Sequence, residues 1–281
     1  MSRALTAGVD VGGAVYRRPR SFVAARGPDA AVYLNKMLSN EIEALAAGAS
    51  CEALLLTPKA RVIAMLVVYR RADDDLLLIT DPGLDEALIA NLMRTRFAAK
   101  VEFEHERHPS YVVLGDDVPD VAGAIVIESS EFGPGYEVIG VEPDVGARQL
   151  SESEAETLRI EAGTPRFGKE VDERVLPAEA GLIERTVDFE KGCYPGQEPI
   201  ARLHYRGHTN RALRILRLET EDIPPFDAEI ILGEKVVGRL TSAAAREEDV
   251  IALAYVRKEV DEDAVLEIEG VRASMIGRAR P

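Results

Sequence analysis

The chain has 281 residues, with 49 acidic against 34 basic side chains and a formal net charge of −15. So acidic a chain is excluded as a general nucleic-acid binder, because nonspecific affinity comes from neutralising phosphates. No apolar run approaches membrane-spanning length, residues 1–8 carry no long apolar leader core, and a cytoplasmic location without membrane partners is therefore expected.

In chain order, Ser21 to Ala25 reads as a strand entering the turn Arg26-Gly27-Pro28-Asp29. Asp29 is placed to cap a helix that carries Val32, Leu34, Met37 and Leu38 near one face. Strands Ala53–Thr57 and Val62–Tyr69 follow, joined by the turn Pro58-Lys59-Ala60-Arg61, and Asp75–Thr80 is a third. Asp81-Pro82 then reads as a helix start with proline at the first position and Asp85 and Glu86 in the first turn. Leu84, Leu88 and Leu92 keep helical spacing along it. Val101–His105 and Tyr111–Gly115 are further strands, so the block is an α+β layer. Gly133-Pro134-Gly135 reads as a hairpin turn, whereas Gly8, Gly12 and Gly13 lack the Lys-Ser/Thr of a phosphate loop.

Ser151 with Glu154 three residues on is a capping box opening a helix to Glu161, which Gly163, Pro165 and Gly168 end. Pro177–Leu182 reads as a short helical turn. Beyond a boundary near 207–210, six strands are expected at Leu213–Leu218, Glu229–Leu232, Lys235–Thr241, Val250–Tyr255, Ala264–Glu269 and Val271–Ile276. That spacing predicts a small antiparallel barrel.

The segment Lys191-Gly192-Cys193-Tyr194-Pro195-Gly196-Gln197-Glu198 carries the most chemistry. Gly192 and Gly196 permit left-handed or close-approach backbone, and Pro195-Gly196 is a turn signal. The expectation is a tight loop that presents the Cys193 thiol. Lys191 would lower the thiol pKa on approach and Glu198 would raise it, and the order of residues does not decide between them. Cys193 with His204 and His208 is a candidate metal set, although histidines in a basic loop usually have other roles. Cys51 reads as a buried strand residue, and His105 and His108 as surface residues at a strand end. Two cysteines make no disulfide framework, which fits a reducing compartment. From Lys191 to Arg217 there are six basic residues, among them Arg202, Arg206, Arg211 and Arg214, against Glu198 alone. That imbalance reads as a local anion site, or as a solvated charged strand.

These residues resemble a known family. Lys191-Gly192-Cys193-Tyr194-x-Gly196-Gln197-Glu198 looks like the signature of YgfZ-type folate-binding proteins, relatives of the glycine-cleavage aminomethyltransferases. Gly27-Pro28-Asp29-Ala30, Arg159-Ile160-Glu161-Ala162-Gly163 and Leu176-Pro177-x-Glu179-Ala180-Gly181-Leu182 match in order. The resemblance implies an α+β, three-domain ring of the aminomethyltransferase type. Its domains would be a discontinuous folate-binding part (1–50 and 110–206), a ferredoxin-like insert (51–109) and a C-terminal barrel (207–281). It implies tetrahydrofolate or a one-carbon derivative as cofactor, with Glu161 on the pterin and an arginine near Arg211 on the glutamate tail. Arg159, Tyr194, Gln197 and Glu198 join them as cofactor-binding candidates, and Cys193 with Lys191 as the catalytic pair. No resident metal is implied. The implied role is an accessory to iron–sulfur enzymes, linked to tRNA modification, with iron–sulfur clients or cluster carriers as partners. A folate-dependent one-carbon transferase is the alternative. Thr80-Asp81-Pro82-Gly83-Leu84-Asp85-Glu86 departs from the Asn-Ala-Ala-Asn segment of the transferases, leaving Asp81 or Asp85 as their acid/base substitute.

Overall fold

Along residues 62–68 buried and half-buried side chains alternate one for one, the mark of a strand with one face in a core. In a computed structural model, which describes residues 13–144 and 146–280, such segments assemble as follows. The first elements are β1 (Ala14–Arg17), β2 (Ser21–Arg26), α1 (Ala30–Met37), β3 (Ser50–Leu56), β4 (Val62–Ala72), β5 (Asp75–Thr80), α2 (Asp85–Thr95), β6 (Glu102–Glu106) and β7 (Ser110–Leu114). Next come β8 (Ile125–Ser129), β9 (Gly135–Ile139), β10 (Arg148–Gln149), α3 (Glu152–Glu161), α4 (Ile183–Thr186) and α5 (Gln197–Arg206). The last are β11 (Arg211–Leu218), β12 (Glu229–Leu232), β13 (Lys235–Ala245), β14 (Val250–Arg257), β15 (Leu266–Ile268) and β16 (Val271–Arg278). The readings of residues 1–8 and of Gly8 and Gly12 lie outside the described residues.

The chain divides into two compact units. One comprises residues 19–108 and 166–212 and holds the sheet β3-β4-β5-β2-β6. Its β2 lies between β5 and β6, so a strand from before residue 51 completes the sheet formed by the 51–109 segment. Val23, Leu76 and Leu78 meet Leu34 of α1 and Leu88 of α2 in one core, all fully buried. Each such side chain contributes about 1.5–3 kcal/mol relative to exposure.

The other unit comprises residues 13–18, 109–165 and 213–280. It holds the sheet β10-β1-β7-β9-β8 and a closed barrel in the order β11-β14-β13-β12-β15-β16. The hairpin β8–β9 turns where Gly133-Pro134-Gly135 predicts it, and all six expected barrel strands are present. Ser151 caps α3 with the reciprocal bonds of a capping box, as its sequence predicts.

Four local expectations are corrected. Helix α2 starts at Asp85, not Asp81, because Gly83 (φ 80°) turns the chain and donates its N–H to Ser21 Oγ. Asp29 stands at the α1 N-terminus, yet its carboxylate accepts from the Lys100 N–H rather than from the helix. Pro177–Leu182 forms turns, and the helical piece is α4, immediately after it. Residues 197–206 are a helix and not a loop or charged strand. Gly196 serves as its N-cap, and Pro199 falls in the first turn, where a missing N–H leaves no helical bond unmade.

One end of the sheet β3-β4-β5-β2-β6 is tied by charge. Glu106 on β6 accepts from Arg26 on β2, from both Nη atoms of Arg71 on β4 (3.0 and 2.6 Å) and bonds His108. The Arg71 fork in particular holds its carboxyl down at about 2, outweighing burial. The folded value lies below the unfolded 4.5, so the stabilisation is fully present above pH 4.5 and fades as pH falls toward 2. Glu106→Gln is expected to lower stability at pH 7 by about 1–3 kcal/mol. In urea unfolding, the gap between wild type and variant should close as pH falls through that window.

Candidate functional site

The cysteine loop belongs to the unit built on the β3-β4-β5-β2-β6 sheet. It opens with an Asx turn: Asp188 Oδ1 accepts from the Glu190 and Lys191 N–H groups at 2.7 and 3.2 Å. It closes with a type II turn, Pro195 at the second position and Gly196 (φ 85°, ψ 0°) at the third, and Gln197 N donates to Tyr194 O. Between these anchors Cys193 is an exposed, free thiol. Gly196 is tightly placed, since a Cβ there would sit 2.7 Å from the Thr57 carbonyl oxygen. Gly192 is outside the left-handed region with open space around it, so only one of the two glycines is required by geometry.

Lys191 is turned inward. Its ammonium donates to Asn35 O (2.7 Å), Asn35 Oδ1 (3.0 Å), Leu38 O (2.9 Å) and Asn40 O. Asn35 and Leu38 lie at the C-terminal end of α1, where carbonyls lack helical donors and the helix dipole favours a cation. Burial pushes the lysine pKa down to about 8, while Glu41, Asp188 and Cys51 oppose that fall. Cys51 is half-buried on β3, and burial drives its thiol up to about 11. Tyr194 is 7% exposed, and its hydroxyl has no hydrogen-bond partner among the described residues. Burial, with a smaller push from Asp188, raises it to about 12.

Gln197 and Glu198 form the first turn of α5, and Glu198 suits its positive N-terminal end. Arg211 is bridged to Glu179 at 3.1 Å, and its side chain stays 40% exposed. His204 stacks on Phe189 with ring centroids 4.2 Å apart. Among the described residues no three His, Cys, Asp or Glu side chains gather as a metal site, so Cys193, His204 and His208 are not assembled as one. The basic run 191–217 is likewise dispersed. Lys191 is caged, Arg211 is paired with Glu179, Arg214 lies 3.7 Å from Glu262 and Arg217 lies 2.5 Å from Asp249.

The Glu161 site belongs to the barrel-containing unit. Arg159 is wholly buried. It binds Glu156 through Nε and Nη2, Thr164 O through Nη1, and Ser242 Oγ on β13. It therefore fastens α3 to the barrel. Glu161 ends α3, and its Oε1 accepts from Arg246 at 3.0 Å. Arg246 also grips Asp249 with two bonds, which hold that carboxyl below its usual range. The chain Glu161–Arg246–Asp249–Arg217 alternates in sign and fixes the Glu161 carboxylate. No donor among the described residues bonds its Oε2. A carboxylate with one oxygen anchored and one open fits adjacent N–H donors such as a pterin presents.

Sequence reasoning missed Arg246, Asp188 and Asn35. Asp188 carried a weak signal as an acid preceding a Gly-rich loop; Arg246 and Asn35 carried none, since their partners are 85 and 156 residues away. The transferase candidates separate. Burial pushes the Asp85 carboxyl up, but bonds from Ser21, a backbone N–H and His105 together outweigh it and hold the carboxyl below the usual range. Asp81 is 7% exposed, 3.7 Å from Arg20.

Comparison with known proteins adds lineage to this geometry. No protein-family model matches the chain. An aminomethyltransferase of Listeria welshimeri is 24% identical over 258 residues, covering 78% of this chain and 71% of that protein. The tRNA-modifying protein YgfZ of Pectobacterium carotovorum is 40% identical over 81 residues, 28% of this chain and 24% of its own. The crystal structure of the glycine cleavage system aminomethyltransferase T from Bartonella henselae superposes with a TM-score of 0.81 at 17% identity, covering 95% of this chain and 86% of that one. The fold is thus the aminomethyltransferase T fold. No helix among the described residues is long and apolar enough to cross a membrane.

Two substitutions test the loop. Gly196→Ala is expected to cost about 1–3 kcal/mol in urea unfolding, since alanine is strained there, while Gly192→Ala is near neutral. Lys191→Met strands the acceptors of Asn35, Leu38 and Asn40 and should cost about 1–3 kcal/mol by the same measurement.

Proposed function

This chain is a YgfZ-type relative of the aminomethyltransferases at low sequence identity, and from that premise we propose that it binds tetrahydrofolate or a one-carbon derivative and serves iron–sulfur enzymes through the Cys193 thiol. The observation that carries this reading is an exposed thiol on a loop fixed at both ends. A thiol kept only for packing would be buried, as cysteine usually is. One thiolate cannot hold a cluster by itself, so a client protein or cluster carrier would complete the ligation. The link to tRNA modification would then run through client enzymes, in keeping with a net charge of −15 that disfavours RNA. Two unbridged cysteines support a reducing, cytoplasmic setting.

Glu161 would hold the folate pterin through its open oxygen, with Arg246 fixing the carboxylate. The folate supplies one-carbon chemistry when bound. Lys191 and Arg159 act as supports in this reading, because every donor position described for them is spent on the protein. At Arg211 a ligand carboxylate would compete with Glu179. The buried Tyr194 hydroxyl, unpartnered among the described residues, is an open polar position of the cysteine loop. Gln197 and Glu198 remain cofactor-binding proposals, as neither side chain makes a hydrogen bond among the described residues.

A one-carbon transferase is the second reading, favoured by one observation: Asp81 is a shielded carboxylate near an arginine, a setting for acid/base work. Formation of methylene-tetrahydrofolate from an aminomethyl donor would establish it.

Calorimetric titration of tetrahydrofolate tests the favoured reading. Glu161→Ala is expected to lose about 1.5–3 kcal/mol of binding, the range for a charged hydrogen bond. No binding to the wild type removes the cofactor. Cys193→Ser should bind folate as the wild type does yet fail to restore iron–sulfur enzyme activity in cells lacking the protein. Full restoration refutes the thiol's role.

A further inference from the structure

Beneath α5 lies a cavity of about 400 Å³, walled by Pro177, Ile183, Pro199 and Leu203, with Arg202 and Arg206 at its edge. Its size falls within the range of about 300–1,000 Å³ typical of small-molecule sites. The walls are aliphatic, and among the described residues the two arginines are the only charged groups lining it.

Those arginines differ from the arginines that follow them in the chain. They stand one helical turn apart, where like charges repel, and both are exposed. Among the described residues neither guanidinium has an ion pair or hydrogen bond, although the sequence holds 15 more acids than bases. The neighbouring arginines fare differently: Arg211 has Glu179, Arg214 and Arg278 share Glu262, and Arg217 and Arg246 share Asp249. A mere packing gap under an amphipathic helix explains the cavity but not two bare cations beside it. Guanidinium groups are weakly hydrated planar forks suited to carboxylates.

We propose that this cavity is a binding site for a small organic carboxylate with an aromatic or short acyl body. The body would lie against Pro177, Ile183 and Leu203, and the carboxylate would take the forks of Arg202 and Arg206. Neither Glu161 nor Cys193 lines it, so the site is independent of the folate reading.

The test uses two fluorescent probes on the full chain. One is 1-anilinonaphthalene-8-sulfonate, whose sulfonate stands in for the carboxylate, and the other is its neutral counterpart N-phenyl-1-naphthylamine. The wild type should bind about one equivalent of the anion and prefer it about tenfold, the scale of one charge-assisted bond. Arg202→Gln with Arg206→Gln should abolish that preference while keeping the affinity for the neutral probe. Ala178→Phe, which fills the cavity, should weaken both, with circular dichroism confirming each fold. Equal binding of the two probes by wild type, undiminished anion affinity in the double arginine variant, or no binding at all would overturn the proposal.

Discussion

The geometry of the cysteine loop depends on a single buried ammonium. Lys191 Nζ sits among oxygens of Asn35, Leu38 and Asn40, at the carbonyl-rich end of α1. Alone, that helix end would leave acceptors unpaired, and alone the lysine would pay heavily for leaving water. Each satisfies the other, so the loop two residues before Cys193 is anchored to a helix more than 150 positions earlier in the chain. Ser39 reinforces the seam: its hydroxyl donates to Thr186 O, its carbonyl accepts from Asp188 N, and its Oγ accepts from Leu54 N. A lysine beside a cysteine in sequence suggests activation of the thiol; here the lysine faces the interior and the cysteine faces water.

The same division of labour recurs around Glu161. The residue that could meet a ligand is held by residues that do not. Arg159 locks α3 to β13 from a wholly buried position, and Arg246 turns the Glu161 carboxylate while being held by Asp249. Positioning by charge networks gives orientation more than stability, since exposed ion pairs contribute at most about 1 kcal/mol each. Networks at buried positions are stiffer, because removing one member leaves a charge without compensation.

Much of this was legible in the sequence wherever the cause was local. Ser151 and Glu154 cap α3 through neighbouring atoms, Pro195-Gly196 makes its turn from its own φ preferences, and the six barrel strands follow from the spacing of short strand segments between turn residues. Helix α5 was hidden because Pro195-Gly196 reads as a turn, yet Gly196 is the N-cap from which the helix starts. Helix α2 was displaced because Pro82 imitates a helix start one turn early. The inward Lys191 and the Arg246 clamp could not be read at all: each depends on atoms brought together by the tertiary fold.

The account rests on Cys193 being the presented thiol and Cys51 the sheltered one. Iodoacetamide labelling of the native protein, followed residue by residue by mass spectrometry, measures this directly. Cys193 should be alkylated at a rate near that of the same thiol in urea, while Cys51, half-buried and pushed up to about 11, should lag far behind its unfolded rate. Protection of Cys193 in the native protein, or equal labelling of the two, would contradict it.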